Sequence, residues 1–384
     1  VRNFIPYGRQ YIDEDDISAV ISVLKSDWLT QGPKIEEFER ALAQYCGADY
    51  AVVFNSGTAA LHGAYFVSGL GDGDEFVTSP NTFAATANAG LYLGARPVFV
   101  DIEKETGNID VIGIERRITK RTKMIVPVHF AGLPAEMERI FYLAEKYGLS
   151  VVEDACHAFG SKYKKELTGK CRYSDMTIFS FHPVKHITTG EGGAVLTNRK
   201  DYYEKLLMFR THGITRKNYI GASHGDWYYE MHSLGCNYRM TDIQAALGIS
   251  QLKKLDFFVK KRHLIAERYN EAFEGNPFFD IPTSGEGKFS SRHLYPIRLK
   301  EQYRGKRKEI FSALRSRGIG VQVHYLPVYL HPYYRDLGYS EGLCHEAEDF
   351  YSREISIPLF PAMEDEDIEH VIRNLLEILR AGGR

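Results

Sequence analysis

The chain has 384 residues, with 48 Lys+Arg against 50 Asp+Glu and a formal net charge of −2. That near-balance, without a clustered basic stripe, excludes a protein that lives on phosphate neutralisation along nucleic acid. With 44% hydrophobic and 26% charged residues the composition is that of a folded chain, and no window approaches 18 uninterrupted apolar residues, so no membrane span is expected. The opening run Val1-Arg2-Asn3-Phe4-Ile5-Pro6 lacks a charged stretch followed by an apolar core. No secretory leader is therefore expected, and the expected location is cytoplasmic. Cys46, Cys156, Cys171, Cys236 and Cys344 are odd in number and widely spaced, with no C-x-x-C. That pattern fits reduced thiols rather than a disulfide framework or a structural zinc site.

By length, two domains are expected rather than one. Short β-branched runs at 51–54, 75–78, 97–100, 123–128, 150–153, 176–181 and 193–197 read as strands. Amphipathic stretches such as 58–69, 84–93 and 134–147 lie between them, which predicts a seven-stranded, largely parallel α/β sheet. The last two strands are separated only by a glycine-rich loop ending in Gly190-Glu191-Gly192-Gly193, too short for a helical crossover, so they are expected to run antiparallel. Beyond Asn198 the pattern predicts a helix at 201–213, a long polar and aromatic loop at 214–233, and a helical region at 240–273. A smaller unit follows, with a strand near 293–299, a helix near 305–317, a strand at 318–325, a Pro/Tyr-rich loop at 327–334 and a helix after Glu364. The expected division is a large domain with an N-terminal arm at 1–250, then a connecting helix and small C-terminal α/β domain at 251–384.

Three stretches could carry chemistry. In Asn55-Ser56-Gly57-Thr58, small residues stand where a strand turns into a helix, so backbone N–H groups could converge on an anion; an ordinary helix cap is the bland alternative. In Val151-Val152-Glu153-Asp154-Ala155-Cys156-His157, an apolar strand ends in a carboxylate, which needs a partner if buried: a function, a helix cap or an arginine. The third runs from Phe179 through His182, Pro183 and Lys185 to Gly193. His182 and His186 have the i, i+4 spacing of a zinc pair, but Pro183 and Ile187-Thr188-Thr189-Gly190 oppose the helix such a pair needs, so no metal is expected. Lys185, among apolar and hydroxyl side chains in a loop between two core strands, is the candidate nucleophile. An anion cradle, a buried carboxylate and a nucleophilic lysine together match the needs of pyridoxal 5′-phosphate. The rival dinucleotide reading fails, because no G-x-G-x-x-G follows a strand and no G-x-x-x-x-G-K-[ST] occurs. His129, at a strand end, reads as a satisfied core histidine, and Tyr333 and Tyr334 as loop packing.

These motifs, with Asn237-Tyr238-Arg239-Met240, resemble the DegT/StrS family of pyridoxal-phosphate-dependent nucleotide-sugar aminotransferases from about Ile5 to the C-terminus. The resemblance implies a fold type I aminotransferase acting as a homodimer with shared active sites. It further implies that Lys185 carries the cofactor and moves protons, that Asp154 pairs with the pyridine nitrogen, and that His157 lies near the ring's 3′ oxygen. Phe83 would stack on the ring, and Gly57, Thr58 and Ser180 would bind its phosphate. Asn237 would reach the phosphate of the neighbouring subunit's cofactor. Glu191 lies beside the lysine loop and receives no role. Some family members carry histidine in place of the lysine and are dehydratases; here Lys185 stands at that position. Tyr7, Asp27-Trp28-Leu29-Thr30 and His324-Tyr325-Leu326-Pro327 resemble a branch, in pseudaminic acid biosynthesis, that aminates C4 of a UDP-linked 4-keto-6-deoxy-N-acetylhexosamine with L-glutamate as donor. On that resemblance those nine residues line the sugar-nucleotide site, although Trp28 and Tyr325 could be core aromatics and Asp27 a helix-end residue. The rivals are an aminotransferase for another nucleotide-linked keto sugar, a sugar dehydratase, and a non-catalytic sugar-nucleotide binding regulator.

Overall fold

Why these residues form a sheet is visible in the alternation along a single strand. In Met176–Ser180, Met176 and Ile178 enter one apolar cluster while Phe179 enters another on the opposite face. A strand buried on both faces reads as a near-continuous apolar run, and the exceptions here are hydroxyls: Thr177, bonded to Glu153, and Ser180 at the strand's end. The computed structural model describes residues 4–382. Helix α1 (Glu14–Leu24) starts from a capping box at Asp13, and α2 (Pro33–Cys46) starts with proline and stops at Gly47, whose φ of 74° suits glycine. Next come β1 (Tyr50–Phe54), α3 (Gly57–Val67), β2 (Glu75–Thr78), α4 (Ala85–Leu91) and β3 (Arg96–Phe99). They are followed by α5 (Val111–Arg117), β4 (Thr122–Val126), α6 (Met137–Tyr147), β5 (Ser150–Asp154), β6 (Met176–Ser180) and β7 (Gly193–Thr197).

The seven strands form one sheet in the order β1-β7-β6-β5-β4-β2-β3. β7 runs antiparallel to both its neighbours, and the other pairings are parallel. The loop between β6 and β7 therefore opens at the carboxyl end of the parallel strands, where α/β sheets bind ligands. On one face, α3 and α7 (Lys200–Phe209) bury Leu61, Tyr65 and Leu206. On the other, α2, α8 (Asp242–Leu252) and α9 (Leu255–Phe273) bury Phe38, Leu42, Leu255 and Phe258. Each large apolar side chain so buried contributes roughly 1.5–3 kcal/mol.

A second, antiparallel sheet joins β8 (Phe279–Asp280), β9 (Tyr295–Leu299) and a later strand in that order. Between them lie α10 (Arg307–Ser316), α11 (Pro332–Asp336) and α12 (His345–Arg353); β10 (Glu354–Ile357) then completes the sheet and α13 (Asp365–Gly382) ends the described chain. Tyr295, Ile297, Leu314, Ile355 and Leu375 share its core with Tyr269 of α9.

Four expectations need correction. Residues 318–325 form no strand: Ile319 makes a single bridge to Ile5 and Gln322 one to Ser356, and the chain then leaves the small sheet for the large one. Ile319 and Val321 are buried, which is why they mimic a strand in sequence. The third strand of the small sheet is instead β10. The 214–233 loop contains a short hairpin, Ile214–Thr215 with Glu230–Met231, and the helix before it ends at Phe209. Helices α1, α2 and α12 were not foreseen. Among the described residues, no helix is long and apolar enough to cross a membrane, and no group of His, Cys, Asp or Glu could hold a metal ion.

Candidate active site

At the end of β1, Ser56 caps α3 by accepting from the Ala59 N–H at 3.1 Å. The N–H groups of Gly57 and Thr58 have no acceptor among the described residues, at the positive end of the helix. Ordinary cap and anion cradle are thus compatible at this turn. Glycine is required by close approach: a Cβ on Gly57 would lie 2.9 Å from the Ser180 Cβ, and one on Gly193 would lie 2.6 Å from the Ser56 carbonyl oxygen. The turn is pressed onto the ends of β6 and β7.

Three strands along the sheet from β1, the pleat of β5 sends adjacent carboxylates to opposite faces. Glu153 turns into the core, hydrogen-bonded to His129 Nε2 at 2.7 Å, Thr177 Oγ1 at 3.1 Å and Ser174. His129, whose Nδ1 accepts from Ala135 N–H, is a satisfied core histidine. Asp154 turns to the sheet end, where Oδ2 accepts from Thr86 Oγ1 at 2.6 Å and Oδ1 from the Cys156 N–H at 3.2 Å. It is buried, and among the described residues it caps no helix and pairs with no arginine, so both bland readings of it fail.

Lys185 stands in the β6–β7 loop, which is held without helix. Thr188 Oγ1 donates to the Phe181 carbonyl at 3.0 Å, Thr189 Oγ1 and Gln244 Nε2 both donate to the Glu191 carbonyl, and the Lys185 N–H donates to the His182 carbonyl. Burial pulls the lysine amine below its ordinary value, with Cys156 and Asp154 acting against the shift and Arg262 adding to it. His186 faces away, its Nε2 3.2 Å from the Ser291 carbonyl.

From the small sheet, 322–328 crosses to the large one: Tyr325 N–H donates to Asn81 Oδ1 at 3.2 Å and Val328 N–H to the Pro80 carbonyl at 3.1 Å. Tyr325 Oη then lies 3.0 Å from His157 Nε2. Burial holds His157 well below its ordinary value, so the ring is neutral. His324 is likewise driven down, to about 3, with Nδ1 2.8 Å from Ser356 Oγ and its N–H donating to Glu354.

These pieces enclose a cavity of about 700 Å³. Gly57, Thr58, Phe83, Asp154, His157, Ser180, Lys185, Tyr7, His324, Tyr325 and Leu326 line it; so does Glu191. Pro327 does not, nor do Asp27, Trp28, Leu29, Thr30 and Asn237. Trp28 is 54% exposed, so it is no core aromatic. The 27–30 segment is nevertheless fixed beside residue 241: Thr30 bridges Thr241, and Asp242 Oδ2 accepts from the Gly32 N–H. Tyr334 is buried on Asn88, while Tyr333 is exposed. Sequence reasoning missed Thr86, Gln322, His331 and, behind His157, His293 at a ring distance of 4.4 Å. Thr86 alone carried a signal, sitting one turn after Thr82 at the start of a helix that faces Asp154.

Residues 10–376 match the model of the DegT/DnrJ/EryC1/StrS aminotransferase family. A protein of Campylobacter jejuni named UDP-4-amino-4,6-dideoxy-N-acetyl-beta-L-altrosamine transaminase is 44% identical over 379 residues, covering 98% of this chain and 97% of the relative. The structure of PseC from Helicobacter pylori, an aminotransferase involved in the biosynthesis of pseudoaminic acid, superposes with a TM-score of 0.93 at 38% identity, covering 99% of this chain and all of that one, 100%. A putative sugar aminotransferase of Streptococcus pneumoniae, Spr1654 in its PLP-form, gives a TM-score of 0.92 at 32% identity over 98% of this chain and 99% of its own. By sequence and by fold, the chain belongs to the DegT/DnrJ/EryC1/StrS aminotransferase family.

Proposed function

We propose that this aminotransferase moves an amino group from L-glutamate to C4 of a UDP-linked 4-keto-6-deoxy-N-acetylhexosamine, giving UDP-4-amino-4,6-dideoxy-N-acetyl-β-L-altrosamine. In this reading it is a cytoplasmic homodimer that uses pyridoxal 5′-phosphate. The observation that carries it is the convergence of Lys185, Asp154 and the Gly57–Ser180 turn on one cavity.

The residues fit the cofactor. The turn offers two unused N–H donors and, because residue 57 has no side chain, room for a phosphate to approach the backbone. Asp154 is a buried carboxylate held by neutral donors and no cation, which suits a protonated pyridine nitrogen. Phe83, 63% exposed at the cavity mouth, offers a ring face. When bound, pyridoxal phosphate supplies an electron-accepting ring that stabilises charge left on carbon after proton loss.

The chain's own residues then act as follows. Lys185, whose amine burial pulls below its ordinary value, would hold the cofactor and would hold and return a proton at C4 of the sugar, setting the face of protonation. Asp154, fixed by Thr86, orients the ring nitrogen. His157, held neutral by burial and bonded to Tyr325, would meet the ring's 3′ oxygen without adding charge. Tyr7, His324, Tyr325 and Leu326 contact the sugar nucleotide from within the subunit. Asp27, Trp28, Leu29, Thr30, Pro327 and Asn237 lie off the cavity of their own chain; in the dimer, Asn237 and 27–30 serve the neighbour's site. Exposed apolar side chains on that flank, among them Trp28, Ile220 (85%) and Trp227 (75%), support an interface there.

His186 cannot replace Lys185 as the proton carrier of a dehydratase, because it faces Ser291. The test is to supply glutamate and the 4-keto sugar and follow the products by mass spectrometry. One 2-oxoglutarate per aminated sugar supports the reading; ammonia release, or ligand binding without either product, refutes it. Borohydride should bleach the protein's visible absorption band and leave the cofactor permanently bonded to Lys185.

A further inference from the structure

A second cleft, of about 270 Å³, is lined by residues from both units of the chain. Its floor is apolar, made by Phe130 and Leu133 from the large sheet's loops and by Leu294 and Phe350 from the small unit. Three cationic side chains line it, and their states differ. Arg298 is committed, to the Lys104 carbonyl and to Asp280 at 3.1 Å, and Asp280 is also held by Lys300. Lys104 and its chain neighbour Glu105 stand at the exposed mouth.

Arg292 is different. Its guanidinium makes no hydrogen bond and no ion pair among the described residues, and its Nε is buried without a partner. Tyr295 and Glu267 act on it only at a distance, and burial still draws it below its ordinary value. A half-buried guanidinium without an anion is unfavourable, and a planar carboxylate answers it with two parallel hydrogen bonds. The surroundings narrow the anion further. The lining charges, Lys104, Arg292 and Arg298 against Glu105 and Asp280, leave one positive charge in excess, which suits a single negative charge rather than a phosphate dianion, and the apolar floor suits a short hydrocarbon tail. The volume admits a fragment, not a nucleotide.

We propose that this cleft is a binding site for a small organic monocarboxylate, its carboxylate on Arg292 and its tail on Phe130, Leu294 and Phe350. The site is separate from the aminotransferase cavity, with which it shares no lining residue. It also does not depend on the substrate assigned there.

Butyrate is the probe, titrated calorimetrically into the full chain loaded with pyridoxal phosphate. About one butyrate should bind per chain, and Arg292→Gln should weaken it by about tenfold or more. Arg292→Lys should retain part of the affinity, and butyramide should not bind. Lys185→Ala should bind butyrate as the parent does. Thr283→Trp, a change at the exposed rim that leaves Arg292 intact, should close the cleft and abolish binding. The proposal is overturned if the parent shows no saturable binding, if Arg292→Gln or Thr283→Trp binds like the parent, if butyramide competes equally, or if Lys185→Ala removes the butyrate site.

Discussion

On the floor of the cavity, at the ends of β1, β5 and β6, side chains that turn from the opening are met by partners within the chain. Glu153 has His129, Thr177 and Ser174; the lysine loop has Thr188, Thr189 and Gln244. Off the cavity, along an outer rim at 27–30 and 214–237, large apolar side chains such as Ile220, Trp227 and Leu234 stand in the open. The floor is finished by one chain, so its geometry should survive substitutions that remove only chemistry. The rim is unfinished by one chain, so its substitutions should act through a second copy. Predictions that separate chemistry, stability and assembly test this contrast.

The largest effect is expected at Lys185. Lys185→Ala should lower kcat by about four orders of magnitude, measured by single-turnover mass spectrometry, while sugar-nucleotide affinity stays within a few-fold. Retained turnover would show that another group moves the proton. Next come the neighbours Asp154 and Glu153, which differ in face and not in chemistry. Asp154→Asn should lower kcat by about 10²–10³-fold with little change in melting temperature. Glu153→Gln should leave kcat nearly intact and remove about 1–3 kcal/mol of stability in denaturant unfolding, since it disturbs a buried hydrogen-bonded set. The opposite pattern would mean that the pleat has been read the wrong way round.

The contrast also explains what could be read from sequence. The strand ends that build the floor are legible because apolar runs, a terminal carboxylate and glycines at close contacts are local signals. Gly57 and Gly193 are informative for that reason: the backbone approach that excludes a Cβ is made by residues adjacent to a strand end. The 318–325 segment misleads because burial of Ile319 and Val321 imitates a strand, whereas pairing depends on Ile5, more than three hundred residues earlier in the chain. His293 was invisible because nothing near it in sequence marks it; only the fold sets it behind His157. The rim residues were named through resemblance, and their exposure on a lone chain has no sequence signature.

The back wall of the site offers a pH test. Burial raises the Glu354 carboxyl to about 8, although it accepts from the His324 N–H and from Ser356 Oγ. The unfolded chain loses this proton near the ordinary value of about 4.5, so between there and about 8 the folded state binds more protons. Its stabilising contribution is therefore complete below the unfolded value and is lost as pH rises through the folded one. Glu354→Gln, an isostere of the protonated form, should remove that slope. Relative to the parent it should gain a few kcal/mol, roughly, between pH 5 and pH 8 in paired urea melts. Parallel curves for the two proteins would mean that the carboxyl is ionised throughout.

The smallest effect by single substitution, and the most specific, is expected at Asn237. It is exposed, bridged to Thr211, and off the cavity of its own chain. Asn237→Ala should weaken cofactor retention by about tenfold, the loss of one hydrogen bond to a charged group. Alone, that cannot say whose site it serves. Mixing can. If Asn237 reaches across the dimer, a chain with Lys185→Ala and a chain with Asn237→Ala assemble into a hybrid in which one site carries both lesions and the other neither. Assayed at a cofactor concentration that fills intact sites but leaves most Asn237→Ala sites empty, equal mixing after dissociation then gives about a quarter of parental activity, since half the dimers are hybrids and each has one intact site. If Asn237 acts within its own chain, every site in the hybrid keeps one lesion and mixing restores nothing.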